Sequence, residues 1–164
     1  MRVAIVGDPV EHSLSPVMQN AAFASAGLKW EMIRVRVPAG GGADVINRVR
    51  AGEFAGLAVT MPLKEEAARS VDDLDAASTR QRSVNTVVGI GSGHARGLST
   101  DGAGFVNSLY AQDIALTGAR VHLLGAGGAA RSIVAALGAI DGCEVTISNR
   151  THSAAEEAAE LSGS

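Results

Sequence analysis

The sequence predicts an α/β fold, in which an N-terminal domain with a largely parallel sheet is followed by the start of a second α/β unit. Short runs of Val, Ile and Leu alternate with longer helical patterns, and this alternation is typical of parallel sheets flanked by helices. Near residue 119 the pattern begins again with a strand, a glycine-rich turn and a helix. These two observations indicate two successive α/β units.

The composition restricts the class of protein. The 164-residue chain is 46% hydrophobic and 19% charged, which is the profile of a globular rather than a disordered protein. Aromatic residues make up only 3%, so the core must be built from Val, Ile, Leu and Ala, which suits buried parallel strands. A net charge of -3 without a basic cluster argues against nucleic acid as a partner.

The sequence also indicates the compartment. The single cysteine, Cys143, excludes a disulfide framework and favours a reducing environment. We find neither a secretory signal nor an apolar stretch long enough to span a membrane. We therefore expect a cytoplasmic protein without a membrane partner.

Local signals predict the elements of the first domain. Ser15 is expected to cap the first helix, Pro16 to occupy its first turn and Gly27 to end it. Thr100 or Asp101 is expected to cap a helix that reaches about residue 111. Strands are predicted at residues 3–6, 30–37, 57–60, 84–90 and 95–98, the last two as a hairpin, and further helices at residues 43–49, 63–71 and 74–80.

A dinucleotide-binding turn follows the predicted strand at residues 120–124. Glycines at the first and second positions of this motif allow a tight turn and a close approach to a pyrophosphate, and a small third residue lets helix and strand pack. The N–H groups at the start of the helix, predicted at residues 129–139, then face the anion. The turn consists of Gly125, Ala126, Gly127, Gly128, Ala129 and Ala130.

The end of the next strand, predicted at residues 144–148, favours NADP over NAD. An acidic residue at this point would bind the ribose 2′-hydroxyl of NAD, but the chain has Asn149, Arg150 and Thr151 instead. Arg150 can pair with a 2′-phosphate through its planar guanidinium group, and Thr151 can add a hydroxyl. We therefore predict that the cofactor bound at this turn is NADP.

Polar residues cluster where strands of the first domain end. Ser13 and Ser15 lie in the loop after the first strand, and Thr60 and Lys64 follow the third. Asn85 stands among β-branched residues and needs hydrogen-bond partners if buried. Loops at the carboxyl ends of parallel strands bind ligands, so these groups are candidates for a small-molecule site.

Lys64 and Asp101 are the candidates for chemistry. A lysine and an aspartate brought together in a cleft can move a proton to or from a hydroxyl, which is half of an alcohol dehydrogenation. Asp101 lies in a second polar segment, Ser99-Thr100-Asp101-Gly102. The nucleotide-binding turn would hold the cofactor, which is the other half of this reaction. We expect no metal site.

Six motifs in this order resemble the shikimate dehydrogenase family, and they extend over essentially the whole chain. They are Gly7-Asp8-Pro9 with His12-Ser13-Leu14-Ser15-Pro16, Val59-Thr60-Met61-Pro62-Leu63-Lys64, Val84-Asn85-Thr86, Thr100-Asp101-Gly102, Gly125-Ala126-Gly127-Gly128-Ala129-Ala130-Arg131 and Asn149-Arg150-Thr151. The resemblance implies NADPH-dependent reduction of 3-dehydroshikimate to shikimate, in aromatic amino acid biosynthesis. It also implies a substrate-binding catalytic domain at residues 1–115 and a partial Rossmann-like domain at residues 116–164.

The resemblance also implies roles for individual residues. It assigns Ser13 and Ser15 to the substrate carboxylate, Thr60 and Asn85 to the ring hydroxyls, and Lys64 and Asp101 to catalysis. Either member of the catalytic pair could be the formal acid. Three positions that flank the site residues depart from the family pattern, namely Gln19, Ala58 and Ser99. Because of these departures, a quinate or aminoshikimate dehydrogenase stays an alternative.

The short length of the nucleotide-binding segment has two possible explanations. The nucleotide-binding pattern begins near Ala119 and the sequence ends at Ser164, whereas domains cluster at about 100–150 residues. Either the sequence is a fragment, which would bind a shikimate-like acid without completing the reaction, or it is a short form that completes itself by oligomerising, for example as a homodimer.

Overall fold

A computed structural model describes residues 1–163 of the chain. The residues divide into two compact units, Met1–Leu98 and a second unit from Ser99 onward. Within the described residues, no helix combines the length and the apolar character that crossing a membrane requires. Each unit has its own sheet, and each is described by itself.

The first unit contains six strands and four helices among the described residues. The strands are β1 (Arg2–Gly7), β2 (Glu31–Arg36), β3 (Gly56–Val59), β4 (Asp73–Leu74), β5 (Thr86–Gly89) and β6 (Ala95–Leu98). The helices are α1 (Ser15–Ser25), α2 (Gly42–Arg50), α3 (Lys64–Ser70) and α4 (Ala76–Gln81).

The strands form one mixed sheet in the order β2-β1-β3-β5-β6-β4. Strand β1 pairs in parallel with β2 and β3, and β4 pairs in parallel with β6. The predicted hairpin β5–β6 is confirmed, and β5 runs antiparallel to β3. Strand β6 therefore points the same way as β3, so the carboxyl ends of β1, β3 and β6 share one edge with the start of β5.

An aliphatic core lies between this sheet and its helices, as the aromatic-poor composition predicts. Burial of each such side chain contributes roughly 1.5–3 kcal/mol relative to exposure. Phe54 is the aromatic exception, with 1% of its surface exposed, and the Arg48 guanidinium lies 4.6 Å from its ring centre. The other large, fully buried apolar side chains of this unit are Val6, Ile46, Leu63, Val84 and Val87.

Two local predictions for the first unit were wrong. Ser15 does not cap helix α1 but begins it, and Leu14 occupies the cap position without a side-chain bond. The stretch predicted as a helix at residues 74–80 starts with the short strand β4, because residues 73 and 74 pair with β6. Asp75 then caps α4 by accepting from the Ser78 N–H at 2.7 Å, so the helix begins only at residue 76.

The second unit has a two-stranded parallel sheet and three helices among the described residues. They are β7 (Arg120–Leu124), β8 (Glu144–Ser148), α5 (Asp101–Tyr110), α6 (Gly128–Leu137) and α7 (His152–Ala159), followed by a 3₁₀ turn (Glu160–Ser162). The junction at residue 98 differs from the boundary that we placed after residue 115, because α5 packs on α6. The functional boundary after residue 115 stays a prediction.

A carboxylate ties the short strands of the first unit together. Asp72 accepts two bonds from the Arg50 guanidinium, at 2.9 and 3.0 Å, and one from the Ala95 N–H at 2.8 Å. Arg50 also donates to the Ser70 carbonyl at 2.6 Å. The bonds from Arg50, followed by the Ala95 N–H, lower the pKa of Asp72 to about 2.

We expect Asp72→Asn to lower the free energy of unfolding at pH 7 and to weaken its fall between about pH 4 and pH 2. The folded carboxylate has the lower pKa, so the unfolded state binds more protons in this window. Its contribution is therefore complete above pH 4 and lost as the pH falls towards 2. Urea unfolding measured across this range tests the expectation.

The matched control is Asp73→Asn, which removes an exposed carboxylate 3.3 Å from Arg96. If the wild type and both variants lost stability in parallel as the pH fell, Asp72 would not be the group whose protonation lowers the free energy of unfolding.

Candidate functional site

The ends of β1 and β3 are joined by close backbone contacts. The Thr60 N–H donates to the Val6 carbonyl and the Asp8 N–H donates to the Met61 carbonyl, both at 2.9 Å. A Cβ on Gly7 would lie 2.5 Å from Thr60 Cγ2 and 2.6 Å from the Met61 carbonyl oxygen. Only glycine fits here, so the loop after β1 starts directly beside Thr60.

The same edge brings the backbones of Lys64 and Asn85 together. Lys64 begins α3, and its carbonyl accepts from the Val84 N–H at 3.0 Å. The Asn85 carbonyl accepts from the Val59 N–H at 2.7 Å, and the Asn85 N–H donates to the Leu98 carbonyl at 3.1 Å. Lys64 and Asn85 are both half-buried. The structure thus places Thr60, Lys64 and Asn85 at one edge of the sheet.

Helix α3 is anchored independently of Lys64. A cation in the first turn of a helix opposes the helix dipole, and Lys64 stands in this turn of α3. The carboxylate of Glu66 instead accepts from the N–H groups of Gly40 at 2.9 Å and Gly42 at 3.0 Å. These two backbone bonds lower the pKa of Glu66 and tie α3 to the start of α2. Glu66 therefore holds the start of the helix that carries Lys64.

The loop that carries Ser13 and Ser15 is held from β2. The Arg34 guanidinium donates to the Ser13 carbonyl at 2.6 and 3.1 Å, and Ser13 Oγ accepts from the Ser15 N–H at 3.2 Å. The Ser13 N–H donates to the Val10 carbonyl at 3.0 Å. Our sequence reasoning missed Arg34, whose only signal is the charged alternation of β2.

The glycine turn of the second unit presents an open backbone. Gly125 has φ +110°, and its N–H donates to the Ser148 carbonyl at 2.7 Å. A Cβ on Gly125 or Gly127 would meet no atom within 4 Å. Ala126 is buried, while Gly128 and Ala129 form the first turn of α6, whose N–H groups have no partner within the helix. This open cradle fits an anionic group such as a pyrophosphate.

A second polar turn follows directly from the end of β8. Asn149 Nδ2 donates to the Thr151 carbonyl at 2.8 Å, which closes the turn around Arg150. Arg150 is exposed. Because Gly125 is bonded to Ser148, this turn starts beside the glycine turn. Together, the two turns present backbone N–H groups and the Arg150 guanidinium, which suit a phosphorylated ribose.

Asp101 begins helix α5, and Thr100 holds the cap position without a side-chain cap bond. The start of α5 is fastened to α6 by Ser132, whose Oγ accepts from the Gly102 N–H at 2.9 Å and lies 2.9 Å from Ser99 Oγ. We call Ser99, Gly102 and Ser132 the Ser132 clasp. We did not identify Ser132 from the sequence, because the spacing of the motifs gives it no feature that the other small residues of α6 lack.

The predicted site residues fall in both units. The first unit contains Ser13, Ser15, Thr60, Lys64 and Asn85. The second unit contains Asp101 and every residue predicted for the cofactor. Their assigned roles stay predictions at this point.

The sequence matches the family of shikimate dehydrogenase substrate binding domains over residues 5–87. A shikimate dehydrogenase (NADP(+)) of Methanosarcina acetivorans is 41% identical over 157 residues, which is 94% of this chain and 55% of that protein. The corresponding protein of Moorella thermoacetica is 41% identical over 162 residues, which is 98% of this chain and 53% of that protein. The chain thus spans about half the length of these curated relatives.

Solved structures give the same result. Shikimate 5-dehydrogenase from Thermus thermophilus, in complex with NADP(H) and shikimate, matches with a TM-score of 0.90 and 38% identity over 99% of this chain and 61% of that one. The 5-ketofructose reductase of a Gluconobacter species matches with a TM-score of 0.86 and 33% identity over 99% of this chain and 58% of that one. Because the family match covers half of the sequence, this chain belongs to the shikimate dehydrogenase family.

Proposed function

We propose that the chain acts as an NADP-dependent shikimate dehydrogenase, which reversibly reduces 3-dehydroshikimate to shikimate in the biosynthesis of chorismate and aromatic amino acids. The observation that carries the proposal is the edge of the first sheet, where Thr60, Lys64 and Asn85 lie together. The open glycine turn of the second unit supports the part of the proposal that concerns NADP binding. The relatives from Methanosarcina and Moorella are named for this activity.

The substrate side follows from the chemistry of the residues. Ser13 and Ser15 supply two hydroxyls two residues apart, which suit a carboxylate acceptor. Thr60 and Asn85 can both donate and accept, as the ring hydroxyls require. The bond from Arg34 to the Ser13 carbonyl holds this loop in place before substrate binds.

Lys64 and Asp101 handle the proton in this proposal. The Lys64 ammonium donates a proton to the ketone oxygen of 3-dehydroshikimate as that oxygen becomes a hydroxyl. The Asp101 carboxylate orients the ammonium and the hydroxyl. In the opposite direction the pair accepts the proton again. Because either residue could be the formal acid, the pH profiles of Lys64→Ala and Asp101→Asn decide between them.

The residues present fit NADP. The backbone of Gly125, Ala126, Gly127, Gly128 and Ala129 would hold the pyrophosphate, and Asn149, Arg150 and Thr151 would hold the 2′-phosphate. When bound, the reduced cofactor supplies the hydride.

We also infer that the chain acts in the cytoplasm as a homodimer. The single cysteine agrees with a reducing compartment. In the described part of the second unit, the two-stranded sheet leaves strand edges unpaired, and Leu124 is 82% exposed. Sedimentation equilibrium tests the dimer, and a mass equal to one chain at all concentrations would contradict it.

We expect Lys64→Ala to lower the rate of NADPH oxidation with 3-dehydroshikimate by about 100-fold or more, because general acid–base catalysis contributes that much. Shikimate binding, measured by calorimetry, should change far less. The matched control is Lys29→Ala, which removes the other lysine of the sequence. Unchanged turnover in Lys64→Ala would contradict the catalytic role.

A second candidate function rests on the 5-ketofructose reductase, which shares the fold of this chain at 33% identity. A fold that serves different ketones does not define the substrate. Turnover with NADPH should therefore be compared for the ketones 3-dehydroshikimate and 5-ketofructose, and turnover with NADP+ for the alcohols shikimate and quinate. A higher kcat/KM with 5-ketofructose or with quinate would replace the shikimate assignment, and shikimate binding without NADPH binding would indicate a binding module.

We expect Arg150→Ala to weaken NADPH binding by about 10- to 100-fold, because a charged hydrogen bond contributes about 1.5–3 kcal/mol. NADH binding should be unaffected, since NADH lacks the 2′-phosphate. The control is Arg120→Ala, at the opposite end of β7. Equal losses for NADPH and NADH in titrations of Arg150→Ala would show that Arg150 does not read the phosphate.

A further inference from the structure

Ser132 is a buried polar residue that the proposed reaction does not use. Only 2% of its surface is exposed, and it lies within the apolar helix α6. Its hydroxyl bonds with residues 30 and 33 positions earlier in the chain. A buried hydroxyl costs free energy unless it is hydrogen-bonded, so the bonds of Ser132 offset the cost of burying it.

The clasp also brings two helices unusually close. A Cβ on Gly102 would collide with the carbonyl oxygen of Ser132 and would lie 2.9 Å from Ala136 Cβ. The backbone of α5 therefore rests directly on α6 at this point. The contact involves the second residue of α5, immediately after Asp101.

We propose that Ser132 is a positioning residue, which fixes Asp101 relative to the glycine turn at the start of α6. The hydroxyl accepts from the Gly102 backbone N–H and bonds with the Ser99 hydroxyl, so it contacts residues on both sides of Asp101. Ser132 itself lies four residues after Gly128, the first residue of α6. This inference rests on the proposed function, because it takes Asp101 as a member of the catalytic pair.

The consequence for catalysis is geometric. A displacement of a reacting group by about 1 Å can lower a rate by about 100-fold. Removal of the Ser132 hydroxyl takes two hydrogen bonds away from the start of α5, while the glycine turn, on the other side of the contact, keeps its own backbone bonds. Ser132 should therefore affect kcat through Asp101 and leave cofactor binding unchanged.

The test uses Ser132→Ala in the full chain. We expect kcat for NADPH oxidation with 3-dehydroshikimate to fall by about 10- to 100-fold, with the dissociation constant of NADPH unchanged. Independently of turnover, ¹⁵N relaxation should show the order parameter of the Asp101 amide falling from about 0.85 to below about 0.6. Ser99→Ala, which leaves the Gly102 bond in place, should give a smaller loss.

The matched control is Ser108→Ala, because the Ser108 hydroxyl donates to the Phe105 carbonyl within the same helix. Both readouts should stay at wild-type values in this variant. Wild-type kcat and a rigid Asp101 amide in Ser132→Ala would overturn the inference, as would a uniform loss of order along the chain. An inactive wild-type chain whose Asp101 amide still loosens in Ser132→Ala would support the clasp and contradict the proposed function.

Discussion

The close contact between the ends of β1 and β3 is the constraint on which the first unit depends. Gly7 has no room for a side chain beside Thr60 and Met61, and the parallel pairing fixes the register of both strands. The turn after β3 then leads directly into Lys64. Asn85, the residue before β5, joins the same edge because its carbonyl accepts from the Val59 N–H. Three polar residues from two separate sequence segments thus reach one edge because the backbones that precede them are paired.

In the second unit, too, a backbone bond joins the ends of paired strands. The bond from Gly125 to Ser148 joins the ends of two parallel strands and brings two polar turns together. The Ser132 clasp then fastens the start of α5 to the helix that follows the glycine turn. At Gly7 in the first unit and Gly102 in the second, a glycine permits an approach that a Cβ would prevent, and hydrogen bonds hold the neighbouring segments.

Two hydrogen-bonded carboxylates anchor helices and strands of the first unit. Glu66 and Asp72 each accept hydrogen bonds from two residues, and these bonds lower the pKa values of both carboxyl groups. Lys64 stands in the first turn of a helix, where its charge is unfavourable. Glu66, two residues later, anchors the same helix to α2.

The sequence by itself determined the α/β class, most strands, the hairpin and the glycine turn, because periodicity and turn residues are local signals. It also predicted Lys64 and Asn85 as site candidates, since both follow or interrupt apolar runs. Only the tertiary structure showed the pairing of β4 with β6, the support of Ser13 by Arg34 and the buried position of Ser132. These features depend on contacts between residues far apart in the chain, and such contacts leave no periodic pattern in either segment alone.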